Sequence, residues 1–181
     1  MLKNIIVGFV SAMAAFLTYV AMQPAAYSVS RSITIAAPPE AIFPRVNNLR
    51  AWNAWSPWAK KDPAAKQSYD GPENGEGARF HWSGNREVGA GTMTIVESKP
   101  NAHVRLKLNF TEPMAGHSDV MLSLSPAGSG STVTWNIQGE QGFIARAIML
   151  AMGVRLEQMI GDDYEKGLAS LKALVETSKP L

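Results

Sequence analysis

One amphipathic segment near the C-terminal end sets the problem that this chain has to solve on folding. Across 154–176, Leu156, Ile160, Tyr164, Gly167, Leu171 and Leu174 recur at three- and four-residue steps, with Glu157, Glu165, Lys166, Lys172 and Glu176 opposite. A helix with that pattern carries one apolar stripe that has to be covered. The stretch before it, 143–152, is apolar nearly all round, and Gly153 invites a break between the two. The cover must therefore come from further upstream, where the period is two rather than 3.6.

Val29, Ile33 and Ile35 stand among polar neighbours and predict a first strand, stopped by Pro38-Pro39-Glu40. Ala41, Ile42, Phe43 and Val46 give a short amphipathic helix that Pro44 keeps brief, and 47–58 reads as a second short helix and a Trp-rich loop. Ala78, Phe80 and Trp82 then alternate with Arg79, His81 and Ser83. Gly84-Asn85 marks a hairpin turn, and 88–98 runs back with Met93 and Ile95 on one face. After a turn at Lys99-Pro100-Asn101 come Val104, Leu106, Leu108 and Phe110, then Val120, Leu122 and Leu124. The Gly-, Ser- and Pro-rich 125–131 reads as a loop into Val133, Trp135 and Ile137. This is an α+β pattern: an antiparallel meander with one wet face and one dry face, curved around the terminal helix. With 181 residues, no internal repeat and no long linker, a single core is expected.

The N-terminal segment stands apart. Residues 5–22 are apolar, interrupted only by Gly8, Ser11, Thr18 and Tyr19, and no charge occurs between Lys3 and Arg31. As a helix the stretch is about 27 Å long, close to the ~30 Å hydrocarbon core. The expected division is 1–24 as a membrane anchor, or alternatively a cleaved secretory signal, and 25–181 as the folded domain. The run is longer than a usual signal core, and the exit from Tyr19 to Pro24 offers no clean small-x-small site, which favours the anchor. In either case Lys3 and the α-amine stay cytoplasmic and the domain is exported, to a periplasmic or other extracytoplasmic side.

Several chemistries are excluded. Net charge is only +2, and no basic run exceeds Lys60-Lys61, so nucleic acid is not an expected partner. The chain has no cysteine, which removes disulfides, thiolate nucleophiles and cysteine zinc sites. His81, His103 and His117 fall on different strands with no carboxylate or second histidine at ligand spacing, so no metal site is expected, and no cofactor. His117-Ser118-Asp119 has the letters of a hydrolytic triad, but neighbours on a strand point to opposite faces. No feature sets an oligomeric state.

Three tryptophans within one loop, Trp52, Trp55 and Trp58, with Trp82 beyond, either line a cavity mouth or plug one end of the sheet as core. Glu87 sits beside a hairpin turn, either solvated or anchoring a ligand head group. Asp163 flanks the apolar stripe of the long helix, so it either reaches solvent beside Asp162 or turns inward, partly desolvated.

The sequence resembles the SRPBCC superfamily, the START- and birch-pollen-allergen-like helix-grip proteins, and within it the bacterial polyketide cyclase/dehydrase-like group. The resemblance rests on Arg31-Ser32-Ile33-Thr34-Ile35 with Ala37-Pro38-Pro39-Glu40, on Trp52-Asn53-Ala54-Trp55-Ser56-Pro57-Trp58, and on Trp82-Ser83-Gly84-Asn85 with Glu87-Val88-Gly89. It continues in Gly91-Thr92-Met93-Thr94-Ile95 and Asp163-Tyr164-Glu165-Lys166-Gly167-Leu168. It implies a curved sheet wrapped around the C-terminal helix with a deep apolar cavity between them. The expected ligand contacts are then Trp55, Trp58, Trp82, Met93, Trp135 and Tyr164, with Glu87 and Asp163 as polar groups. The expected function is a tethered binding or carrier domain for a hydrophobic or lipid-like small molecule, held at the membrane through residues 5–22. The alternative is a cyclase/dehydrase-type enzyme, for which Asp163, Glu87 or a tyrosine is the candidate proton carrier. Fold alone does not choose between them.

Overall fold

A computed structural model describes residues 1–177; the last four residues of the expected domain lie outside the described residues. The chain runs α1 (Leu2–Met22), β1 (Ala26–Ile35), α2 (Pro39–Asn47), a single 3-10 turn (Ala51–Ala54), α3 (Trp58–Lys61), β2 (Lys66–Asp70), β3 (Arg79–Ser83), β4 (Ala90–Lys99), β5 (His103–Glu112), β6 (Gly116–Ala127), β7 (Gly130–Glu140), α4 (Phe143–Ala151) and α5 (Leu156–Thr177). The seven strands form one antiparallel sheet in the order β1-β7-β6-β5-β4-β3-β2. From β2 to β7 it is a meander, and β1 closes on β7 by pairing Ala26 with Glu140 through Ile35 with Ser131. The predicted α+β helix-grip architecture is what the chain adopts: its dry face packs on α5, and Val29, Ile35, Leu122, Trp135, Tyr164, Leu168 and Leu171 meet in one core.

Why α5 sits where it does is legible in side chains. Gly167 offers no Cβ, and one added there would come within 2.8 Å of the Trp135 ring and 3.1 Å of Pro57, so the helix approaches the sheet closely at this point. Along the rim, Arg31 Nε donates to Glu165 at 2.7 Å and Lys172 Nζ donates to the Thr34 carbonyl at 2.7 Å, tying α5 to β1. Near its end the Glu176 carboxylate accepts the Ala36 backbone N–H at 2.7 Å, with Lys172 3.4 Å away. That backbone donor, assisted by Lys172, holds the Glu176 carboxyl below the ordinary carboxylate range. A depressed folded-state pKa stabilises the fold above the ordinary carboxylate range, and the stabilisation is lost as pH falls through the depressed value. Glu176→Gln is expected to remove this acid-side loss, seen as a shallower dependence of the urea midpoint on pH below neutrality.

The structure departs from the expectations at four places. First, 66–70 forms a strand, β2, that no expectation covered, because on this edge strand only Tyr69 is even half-buried, and a solvated edge leaves no period-two signal. Second, the connection at Gly84-Asn85 is not a two-residue turn. It spans to Gly89, with the Gly84 N–H on the Gly89 carbonyl and Asn85 Oδ1 accepting the N–H groups of Glu87 and Val88. Third, 125–131 is mostly strand: β6 runs to Ala127 and β7 starts at Gly130, leaving a tight turn with Gly128 at φ +59°. Pro126 is tolerated because the β5 ladder on that side has already ended at the His103–Ser123 pair. Fourth, two histidines do have carboxylates beside them. His81 Nε2 lies 2.6 Å from Asp70 and His103 Nε2 lies 2.9 Å from Glu97, contacts made across strands and invisible to sequence spacing. Each is a pair, and among the described residues no group of three metal-ligating side chains converges.

Candidate ligand-binding cavity

Between the concave sheet face and the first half of α5 lies a cavity of about 490 Å³, within the roughly 300–1,000 Å³ range of small-molecule sites. Its walls follow from strand alternation. Phe80 and Trp82 of β3, Met93 of β4, Leu108 and Phe110 of β5, and Trp135 and Ile137 of β7 all point inward. Their alternating neighbours His81, Lys107 and Asn136 take the other face. Trp58, Ile160 and Tyr164 close the helical side.

The tryptophans divide between the two roles open to them. Trp135 is the hub: it stacks on Tyr164 at 3.9 Å and meets Trp52, Trp55 and Trp58 edge-on at 5.2 to 5.8 Å. Trp52, Trp58, Trp82 and Trp135 face the cavity, whereas Trp55 is wholly buried behind it and does not line it. The reason is local. The 3-10 turn carries Trp52 and Trp55 under the sheet end, where their indole N–H groups donate to the carbonyls of Val46 and Arg45. Trp82 donates likewise to Val88. Trp135 Nε1 is the exception, buried with no partner among the described residues. Burial holds the Tyr164 phenol well above the ordinary tyrosine value, so it is a neutral hydroxyl in the wall.

One corner of the cavity is charged. Asp163, only 6% exposed, turns inward rather than to solvent, and its Oδ2 accepts from Lys61 Nζ at 2.7 Å. Glu87 stands at the rim, mostly exposed, 3.7 Å from the same ammonium. Asp62 completes the corner, its carboxylate accepting the Asn85 N–H at 2.7 Å and fixing the loop that carries Glu87. Lys61 gave no sign of this role in the sequence, where it was one half of a basic pair; the residue it neutralises is more than a hundred positions away. The triad-like letters resolve as expected from a strand: Ser118 is buried and hydrogen-bonded to the Tyr27 hydroxyl at 2.8 Å, while His117 and Asp119 face out.

Comparison with known proteins agrees with this geometry. The chain superposes on protein CV1439 from Chromobacterium violaceum with TM-score 0.60 at 15% identity, covering 83% of this chain and 98% of the other. It superposes equally well on Aha1 from Colwellia psychrerythraea, with TM-score 0.60 at 16% identity over 85% and 99% of the two chains. For Ara h 8.0201 the TM-score is 0.56 at 12% identity over 83% and 97%. At such identities these likenesses show the fold alone. No curated protein matches the sequence. The family described as polyketide cyclase / dehydrase and lipid transport matches across residues 26–176, the whole of the sheet, the cavity wall and nearly all of α5. This chain therefore belongs to that polyketide cyclase / dehydrase and lipid transport family, a helix-grip branch of the SRPBCC superfamily.

Proposed function

We propose that this protein is a membrane-tethered binding or carrier protein for a hydrophobic or lipid-like small molecule, with residues 1–24 as the tether and 25–181 as the ligand domain. The observation that carries the reading is the cavity itself: apolar aromatic walls with one charged corner near the rim. Such a site takes an amphipathic ligand whose body fills the space between Trp58, Trp82, Met93, Trp135 and Tyr164 and whose head reaches the corner of Lys61, Glu87 and Asp163. Carboxylates outnumber the single ammonium there, which favours a head that donates hydrogen bonds. Burying roughly 400 Å² of apolar ligand surface yields about 10 kcal/mol, and association costs of at least about 4 kcal/mol leave about 6 kcal/mol or less, so affinities of tens of micromolar or weaker are expected.

The tether is supported by α1, 21 residues that are long and apolar enough to cross a bilayer, with Val20 its one buried residue. Lys3 and the α-amine then stay in the cytoplasm and the ligand domain lies on the other side, in the periplasm or another extracytoplasmic space. Titrating residues 25–181 with a fluorescent acyl probe tests the ligand reading. Saturable uptake is expected, weakened about tenfold or more by Met93→Trp, which fills the cavity from the β4 wall; equal uptake by both proteins, or none by either, contradicts it.

A second reading has one observation in its favour. Asp163, Lys61 and Glu87 gather groups capable of proton exchange at one corner of the cavity, as a cyclase/dehydrase-type enzyme needs. In that case Asp163→Asn abolishes turnover of a hydrophobic substrate while leaving its binding intact.

A further inference from the structure

The tether and α4 leave the sheet at the same place. Ala26, the first residue of β1, pairs with Glu140, the last of β7. Met22 ends α1 four residues before that pair, and Phe143 starts α4 three residues after it. At about 3.3 Å per residue, neither helix end is more than about 13 Å from the pair. The two helices pack together, and Arg146 Nη1 of α4 donates to the Gln23 carbonyl at the exit of α1. A bilayer spanned by α1 therefore has its headgroup layer, about 5–8 Å deep on each side, within reach of α4.

What α4 offers to that layer is apolar. Ile144, Ile148 and Met152 follow one another at four-residue steps and are 69%, 45% and 71% exposed, and Phe143 is exposed as well. None of the nine α4 residues is buried. Between Glu140 and Glu157 the only charges are Arg146, held on the Gln23 carbonyl, and the exposed Arg155, whose sign anionic headgroups attract. Seven residues on from Met152, Met159 is half exposed and lines the cavity together with Leu156 and Ile160.

We propose that α4, continued by Met152 and Met159, is an in-plane membrane-contact helix that lies on the phospholipid bilayer at the exit of α1 and holds the cavity rim against lipid. It rests on the reading of α1 as a retained anchor. A ligand leaving the bilayer then enters the cavity beside Met159 without crossing open water.

The absence of native cysteine allows single nitroxide labels to be placed on the full chain. In vesicles of equal parts phosphatidylethanolamine and phosphatidylglycerol, labels at Phe9→Cys in α1, Ile144→Cys and Ile148→Cys are compared with Lys107→Cys on the outer sheet face. Oxygen is expected to relax the Phe9, Ile144 and Ile148 labels more than a water-soluble nickel chelate does, with the order reversed at Lys107. Ile144 and Ile148 labels that behave like Lys107 while Phe9 reports lipid overturn the α4 assignment alone. A Phe9 label in water overturns the anchor and the proposal with it. Spin–spin coupling between Ile144 labels without lipid contact gives the face to a second copy of the chain and overturns the proposal equally.

Discussion

Lys61→Met is expected to destabilise the domain by about 3–5 kcal/mol at neutral pH, near the lower figure because Lys61 is a quarter exposed. The methionine keeps most of the apolar stem and removes the ammonium 2.7 Å from Asp163. It leaves a carboxylate that is 6% exposed beside Trp58 and Tyr164 with no cation in contact. An uncompensated buried charge costs more than the pair gains, since two ions brought out of water together roughly break even. The double variant Lys61→Met/Asp163→Leu should therefore recover most of the loss. Urea unfolding of residues 25–181 measures both. A near-neutral single variant would mean that Asp163 reaches water and that the charged corner is not closed by this pair.

Trp135→Ala carries the other large effect. Trp135 is 1% exposed and touches four aromatic rings, so truncation opens a void that the surrounding strands cannot fill, at a cost of about 3–5 kcal/mol. That is a large part of the 5–15 kcal/mol that holds a domain of this size folded. Trp135→Phe is expected to be far milder. It preserves the stack on Tyr164 and removes an indole N–H that has no partner among the described residues. Thermal unfolding of the two variants side by side decides the matter; a phenylalanine variant as unstable as the alanine one would show that Nε1 has a partner, such as a bound water or the ligand.

These two residues mark where sequence reasoning reached and where it stopped. The strands were legible because Phe80 and Trp82, or Leu106 and Leu108, alternate with charged and polar neighbours, and a half-buried sheet forces that alternation. The same alternation assigns Trp82, Met93 and Trp135 to one face, and the helical stripe carries Tyr164 to meet them. Asp163 sits one residue off the stripe, and only packing against α3 decides that it faces inward. Lys61 and β2 left no trace at all. The lysine owes its place to an ion pair across the fold, and β2 is a polar edge whose identity comes from its hydrogen-bonded neighbour β3. Trp55 shows the converse error: a loop rich in tryptophan signals an aromatic cluster, but which indole faces the cavity depends on the pitch of a single 3-10 turn.

The proposed function rests on the space left inside the grip, whose walls are mostly apolar. α1 and α4 leave the sheet at the same end, at the Ala26–Glu140 pair, and pack on each other. The most direct test is native mass spectrometry of the full chain released gently from membranes of the cells that make it. The expected spectrum contains the chain together with a non-covalent adduct of hydrophobic character, lost on organic extraction and depleted in Met93→Trp. A single ligand-free mass, from a protein that also fails to take up acyl, isoprenoid or aromatic probes, would contradict the account.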